Sequence, residues 1–280
     1  MKVFISADIE GATGVVAWSQ CGANDGAYYD FPKARTLLTQ DVNAAIRGAR
    51  TAGATAIVVR DAHGNGKTLR IEDLEPGAEL ISGRGANPDG MMAGIGRSFG
   101  AAILVGYHAM AGTEAGIMEH TISRGVHRMT INGMPAGEIA LSAAVAGAYG
   151  VPIVAVTSDA AGCAEAEALI PGLRTAVVKQ GMGRYMGLLH HPSETARTIE
   201  RVAREAVERV ASVQPWIPDL PILLSIEFRR SEMADMAALL VGTHRKDAYT
   251  IEYEAQTPLE MHRAARQIIA MGGLGVQSNE

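Results

Sequence analysis

Asp8 and Glu10 stand two residues apart where the first apolar run of the chain ends. On extended backbone, residues i and i+2 project to the same side, so both carboxylates aim at one point. Two close carboxylates repel unless a proton or a cation lies between them. A divalent metal meets that need, and neutral imidazoles from neighbouring strands would complete a mixed N/O shell suited to zinc. His63 and His108 are the candidates, because they follow the apolar runs Ala54–Val59 and Ala101–Val105. Asp61, two residues before His63, is expected to orient an imidazole from behind. Gly11, Gly14, Gly64 and Gly66 permit close loop approach. Any one of these residues alone reads as a cap or a solvated loop residue. Their coincidence at three strand ends is what points to a metal.

The elements that must position these groups alternate from end to end. Lys2–Ala7, Ala54–Val59, Ala101–Val105, Pro152–Thr157 and Thr175–Val178 read as strands, Ala54–Val59 and Ala101–Val105 as strands buried on both faces. Helical spacing covers Pro32–Ala52, Gly137–Tyr149, Ala160–Leu169, Ser193–Ser212 and Pro258–Met271. In Ser193–Ser212 the stripe Ala196, Ile199, Ala203, Ala206, Val207, Val210 faces a core. Asn132-Gly133 marks a hairpin turn, and Leu220–Phe228 and Tyr249–Ala255 are late strands. The pattern predicts an α/β fold: a mainly parallel central sheet flanked by helices, with the metal site at the strand carboxyl ends. Residues 1–280 read as one catalytic unit, with room for a smaller lobe in the C-terminal half.

Composition narrows the classes. Hydrophobic residues make up 48% and charged residues 20%, ordinary values for a globular chain, and the net charge of −5 comes with no basic run. That argues against a nucleic-acid partner. No window approaches the ~18 apolar residues of a membrane span, and no signal peptide is evident. Cys21 and Cys163 form no CxxC pair, so a cytoplasmic setting is expected. Gly94, Gly96 and Gly100 mimic a dinucleotide fingerprint but precede a strand instead of following one. His190-His191 reads as surface, and Lys179 as a solvated lysine at a strand end.

These residues sit in longer motifs: Ser6–Gly11, Asp61–His63, Leu80–Gly83, Gly106–Ala109, Gly116–His120, Ile131–Glu138, Ala164–Pro171, Val177–Gln180 and Leu224–Phe228. With them the chain resembles the zinc D-aminopeptidase family encoded alongside bacterial dipeptide permeases. The resemblance runs through most of the chain. It implies two Zn2+ ions per subunit, with Asp8 bridging them and Glu10, His63, His108 and Glu138 completing the metal ligands. It implies His120 as the catalytic histidine. By residue pattern alone, Glu138 is a first-turn helix carboxylate and His120 a loop residue.

The implied activity is removal of an N-terminal residue, expected to be a D-amino acid, from short peptides or amides by a metal-activated water. Family members form rings described as decamers of two stacked pentamers, so a homo-oligomer is expected. Alternatives are an amidase or an L-aminopeptidase on the same scaffold, or a non-catalytic peptide-binding scaffold protein. A phosphoesterase would require cationic clamps, for which Arg60 and Arg84 are the nearby candidates. The chain departs from the family pattern at Glu114, in Arg84–Met92 and in Trp18–Tyr29, which bears on substrate preference.

Overall fold

A computed structural model describes residues 1–22 and 30–277, so most of the divergent segment 18–29 lies outside the described residues. The first half of the chain forms β1 (Lys2–Ala7), α1 (Asp30–Thr51), β2 (Ala56–Asp61), β3 (Ala78–Ile81), β4 (Ala101–Val105), β5 (Val126–Ile131), β6 (Met134–Pro135) and α2 (Glu138–Ala148). The second half forms β7 (Ile153–Asp159), α3 (Ala160–Leu169), β8 (Arg174–Gly183), β9 (Met186–Leu189), α4 (Pro192–Glu208), β10 (Ile222–Phe228), α5 (Ser231–Ala237), β11 (Thr243–Arg245), β12 (Thr250–Ala255) and α6 (Pro258–Gln277).

The expected central sheet is present. It has seven strands in the order β3-β2-β1-β4-β7-β8-β9, all parallel except the edge pair β8–β9. From β1 the chain moves outward through β2 and β3, then returns to the other side of β1 as β4. The carboxyl ends of β1 and β4 therefore flank a topological switch point, where open α/β sheets bind ligands. Asp8 and His108 follow these two strands. The apolar run read as ending at Val178 continues as β8 to Gly183 and turns back as β9.

Burial explains the layers. In β1, Val3, Phe4 and Ile5 are fully buried, as are Ala101 to Val105 of β4, because helices cover both faces of the sheet. α1 buries Leu38, Val42, Ile46 and Ala49, and α4 buries Ile199, Val202, Ala206 and Val207. These two helices meet closely: a Cβ on Gly48 would stand 2.2 Å from the Glu200 carbonyl oxygen.

The late strands belong to a second, antiparallel sheet in the order β11-β12-β10-β5-β6. Its core joins Met129, Ile131, Leu224, Ile226 and Phe228 to Met261, Ile268 and Ile269 of α6. α2 is buried from Glu138 to Gly147, giving Ile139, Ala143 and Val145 to the first core and Ala140, Leu141 and Ala144 to the second. A helix that is apolar on all sides belongs in an interior. That placement carries its first-turn carboxylate, Glu138, inward. Among the described residues no helix is long and apolar enough to cross a membrane.

Candidate metal centre

Two glycines bring the ends of β1 and β4 together. The Asp8 amide donates to the Val105 carbonyl at 2.8 Å, and the Gly11 amide to the Gly106 carbonyl at 2.8 Å. A Cβ on Gly11 would lie 1.6 Å from the Tyr107 carbonyl oxygen. Gly106, with φ of +71°, would place a Cβ 2.2 Å from the Asp8 carbonyl oxygen. No side chain fits at either position, so the backbones cross at contact distance.

A buried lysine holds the loop beyond. Lys179 of β8 is fully buried, and its Nζ donates to the carbonyls of Glu10, Ala12 and Val15 at 2.6, 3.0 and 2.5 Å. It is not the solvated lysine expected from its strand-end position; three converging carbonyls satisfy the ammonium inside the core. Burial lowers its pKa from 10.5 to about 8, with Asp159, Asp41 and Glu10 among the groups opposing. Asp41 of α1 accepts from both the amide and the hydroxyl of Thr13 at 2.8 Å, fixing the same loop from the other side.

Six side chains converge above this frame. Asp8 Oδ1 and Glu10 Oε2 each lie 3.1 Å from His63 Nδ1. Asp8 Oδ2 is 3.7 Å from His108 Nε2, which is 3.3 Å from Glu138 Oε1. His120 Nε2 is 3.8 Å from Glu138 Oε1 and 4.0 Å from Glu10 Oε1. The two oxygens of Asp8 therefore face different imidazoles. The ligand atoms of Asp8, Glu10 and His108, and those of His108, His120 and Glu138, form two groups within 4.8 Å.

The second nitrogen of each imidazole sets its tautomer. His108 Nδ1 is 2.9 Å from the Ala109 carbonyl, and His120 Nδ1 is 2.9 Å from the Met118 carbonyl. Each donates there, so Nε2 of each is the nitrogen that faces inward. His63 is reversed: its Nε2 is 2.8 Å from the Cys21 carbonyl, and Nδ1 faces the carboxylates. Asp61 does not orient it. Its carboxylate accepts from the Leu69 amide at 2.7 Å and so fixes the loop after β2.

The electrostatics call for positive charge. Burial and the neighbouring Glu10 push the Asp8 carboxyl up to about 7, against His63. Burial opposes ionisation of Glu10, but His63, His120 and His108 outweigh it and hold it well below the usual range. His108 rises to about 10: burial resists, but Glu138, Asp8 and Glu10 prevail. Burial also resists protonation of His63, yet Glu10 and Asp8 raise it well above its ordinary value. Burial and the His108 charge lower His120, leaving a neutral imidazole. Three buried carboxylates thus draw protons onto two imidazoles, and divalent cations would do that work better.

The residues fit zinc. His108 Nε2 is buried, has no hydrogen-bond partner, and points between Asp8 and Glu138. The donors are imidazole nitrogens and carboxylate oxygens, the set zinc takes in catalytic sites.

Glu138 and His120 carried no metal signal in the residue pattern. Glu138 enters from the start of α2, after the β5–β6 hairpin of the second sheet, and also accepts from the Ile122 amide at 2.6 Å. His120 lies in a loop where Ala115, Met118 and Ile122 adopt φ of 56°, 57° and 60°. Such values are costly for residues with a Cβ and persist only where surroundings enforce them. Asp159, the N-cap of α3, does so in part by accepting from the Ile117 amide at 2.6 Å. The His120 ring stacks on His108 at 3.9 Å between centroids and meets the edge of Trp18 at 5.0 Å.

Known proteins match along nearly the whole chain. The sequence model of a family described as D-aminopeptidase covers residues 1–267. The D-aminopeptidase of Bacillus subtilis (strain 168) is 35% identical over 265 residues, spanning 94% of this chain and 95% of that protein. Among solved structures, the Zn-dependent D-aminopeptidase DppA from Bacillus subtilis, described as a self-compartmentalizing protease, matches with a TM-score of 0.92. Its identity is 34%, and 98% of each chain is covered.

Proposed function

Because this chain belongs to the D-aminopeptidase family and is a metal-dependent aminopeptidase, we propose that it holds two zinc ions and removes N-terminal D-residues from short peptides. Asp8, Glu10, His63, His108 and Glu138 would hold the ions, with Asp8 shared between them. The observation that carries this reading is the division of Asp8: Oδ1 lies 3.1 Å from His63 Nδ1, while Oδ2 faces His108 Nε2 at 3.7 Å. Zinc at this centre would supply Lewis acidity to the scissile carbonyl and would acidify a water.

The chain's own residues do the rest. His120, neutral and with Nε2 facing Glu10 and Glu138, is suited to take up or return a proton at that nitrogen. Its Nδ1–H is spent on the Met118 carbonyl, and its ring is clamped between His108 and Trp18. The ring therefore cannot turn away from the reacting atoms.

Further parts of the proposal concern assembly and setting. Residues 1–280 act as one catalytic unit, supported by α2 contributing to both cores. The chain forms a closed homo-oligomeric ring, a decamer as in the family, supported by the self-compartmentalizing DppA and by Tyr185, Met186, Leu188 and Leu189 exposed on the β8–β9 hairpin. A cytoplasmic setting accords with two buried cysteines that form no disulfide. The test is zinc analysis joined to a matched panel of D- and L-dipeptides and amides. Release of N-terminal D-residues supports the reading; turnover of the L-series or the amides alone overturns the substrate assignment.

A further inference from the structure

The loop that carries His120 is shaped from outside. Ala115 and Met118 are left-handed, with φ of 56° and 57°, and such backbone persists only where neighbouring structure enforces it. Asp159 supplies one restraint, at the Ile117 amide. The others come from the edge of the central sheet, where β8 and β9 form a hairpin that turns at Arg184 and Tyr185.

The hairpin grips the loop along its length. The Met118 amide donates to the Arg184 carbonyl at 2.7 Å. The Arg184 side chain reaches back: Nη2 donates to the Glu119 carbonyl at 2.9 Å, and Nε lies 3.2 Å from Glu119 Oε1. Glu119 is buried, and its carboxylate also accepts from the Gly112 amide at 2.5 Å, so the ion pair ties both arms of the loop to the hairpin. A solvated pair such as Arg201–Glu205 on α4 adds little, whereas losing the partner of a buried carboxylate is costly. Gly181 of β8 presses on the same loop, since a Cβ there would stand 1.7 Å from the Ala115 carbonyl oxygen.

Both ends of the contact lead to His120. Met118, pinned by Arg184, is the residue whose carbonyl accepts from His120 Nδ1 at 2.9 Å. Tyr185, beside Arg184 in the turn, accepts at its hydroxyl from Trp18 Nε1 at 3.1 Å, and Trp18 packs against the His120 ring with centroids 5.0 Å apart.

We propose that Arg184 is a positioning residue for the reaction: by clamping Glu119 and Met118 to the hairpin, it keeps His120 Nε2 aimed at the metal centre. Tyr185 supports the same ring through Trp18. The inference rests on His120 as the residue that moves a proton there. A misplacement of about 1 Å in a catalytic group, caused from a distance, costs up to about a hundredfold in rate.

The test is steady-state kinetics of the zinc-loaded protein on the most readily cleaved member of the dipeptide panel. Wild type is compared with Arg184→Met, Arg184→Lys, Gly181→Ala and His120→Ala. Arg184→Met keeps the aliphatic stem without its donors, while Arg184→Lys can still reach the Glu119 carbonyl. In Arg184→Met, kcat is expected to fall about tenfold or more, with KM within about twofold of wild type and zinc content unchanged. Arg184→Lys should recover most of that loss. Gly181→Ala, which pushes β8 off Ala115, should lower kcat with zinc retained. Losses that track zinc content, or that Arg184→Lys does not relieve, would assign Arg184 to stability alone and overturn the proposal. So would kcat of Arg184→Met within about twofold of wild type while His120→Ala is inactive. Full turnover by His120→Ala would overturn the His120 assignment itself, and the inference with it.

Discussion

Replacing Lys179 with Met tests whether the loop carrying Glu10 is held by a buried ammonium. Methionine keeps much of the aliphatic stem but offers no donor, so the carbonyls of Glu10, Ala12 and Val15 lose their shared partner. The Ala12 carbonyl keeps the Val15 amide at 3.3 Å; the other two buried acceptors left unpaired cost about 1–3 kcal/mol each, or about 4 kcal/mol together at the middle of that range. Against this stands the cost of keeping the ammonium charged in the interior. Its pKa falls from 10.5 to about 8, a penalty of about 3 kcal/mol at neutral pH. Lys179→Met should therefore lose about 1 kcal/mol. Denaturant unfolding of chelator-treated protein is the assay, because bound zinc would add its own stabilisation. A variant within about 0.5 kcal/mol of wild type would refute the reasoning, and the loop's position would need another cause.

Three further outcomes are expected. Gly11→Ala places a methyl group 1.6 Å from a backbone carbonyl, so β1 and β4 must part at the switch point; unfolding should show a loss of about 3–5 kcal/mol, with reduced zinc content. Asp41, buried with its pKa raised from 3.8 to about 6, binds its proton more tightly when folded, so its contribution is full below pH 3.8 and fades as pH rises through about 6. Asp41→Asn, measured against wild type at pH 4 and pH 7, should gain about 2 kcal/mol relative to it over that rise, and a pH-independent difference would contradict the shift. His120→Ala should keep its zinc, read by elemental analysis, while turnover falls by about 10²–10⁴-fold.

How much of this site could be read in the sequence depended on whether its groups belong to local patterns. Asp8 and Glu10 were legible because a two-residue step on a strand fixes a common direction, and His63 and His108 because each follows an apolar run. The parallel sheet was legible for the same reason: strands buried on both faces leave unbroken runs of aliphatic residues. Glu138 was not, since its value comes from α2 being wedged between two cores, which only the tertiary arrangement creates. His120 depends on a loop with three left-handed residues that have no glycine to announce them. Lys179 misled because a lysine at a strand end looks the same whether water or three carbonyls surround its ammonium. Asp61 misled because spacing alone could not show that the Leu69 amide claims its carboxylate.

Asp8 is the carboxylate whose two oxygens face different imidazoles, His63 and His108. The most direct measurement of its role is zinc bound per subunit, by elemental analysis after exhaustive dialysis, in wild type and in Asp8→Asn. About two zinc ions in wild type, falling to nearly none in a folded Asp8→Asn, is the predicted result. A single ion in wild type, or undiminished zinc in Asp8→Asn, would contradict it.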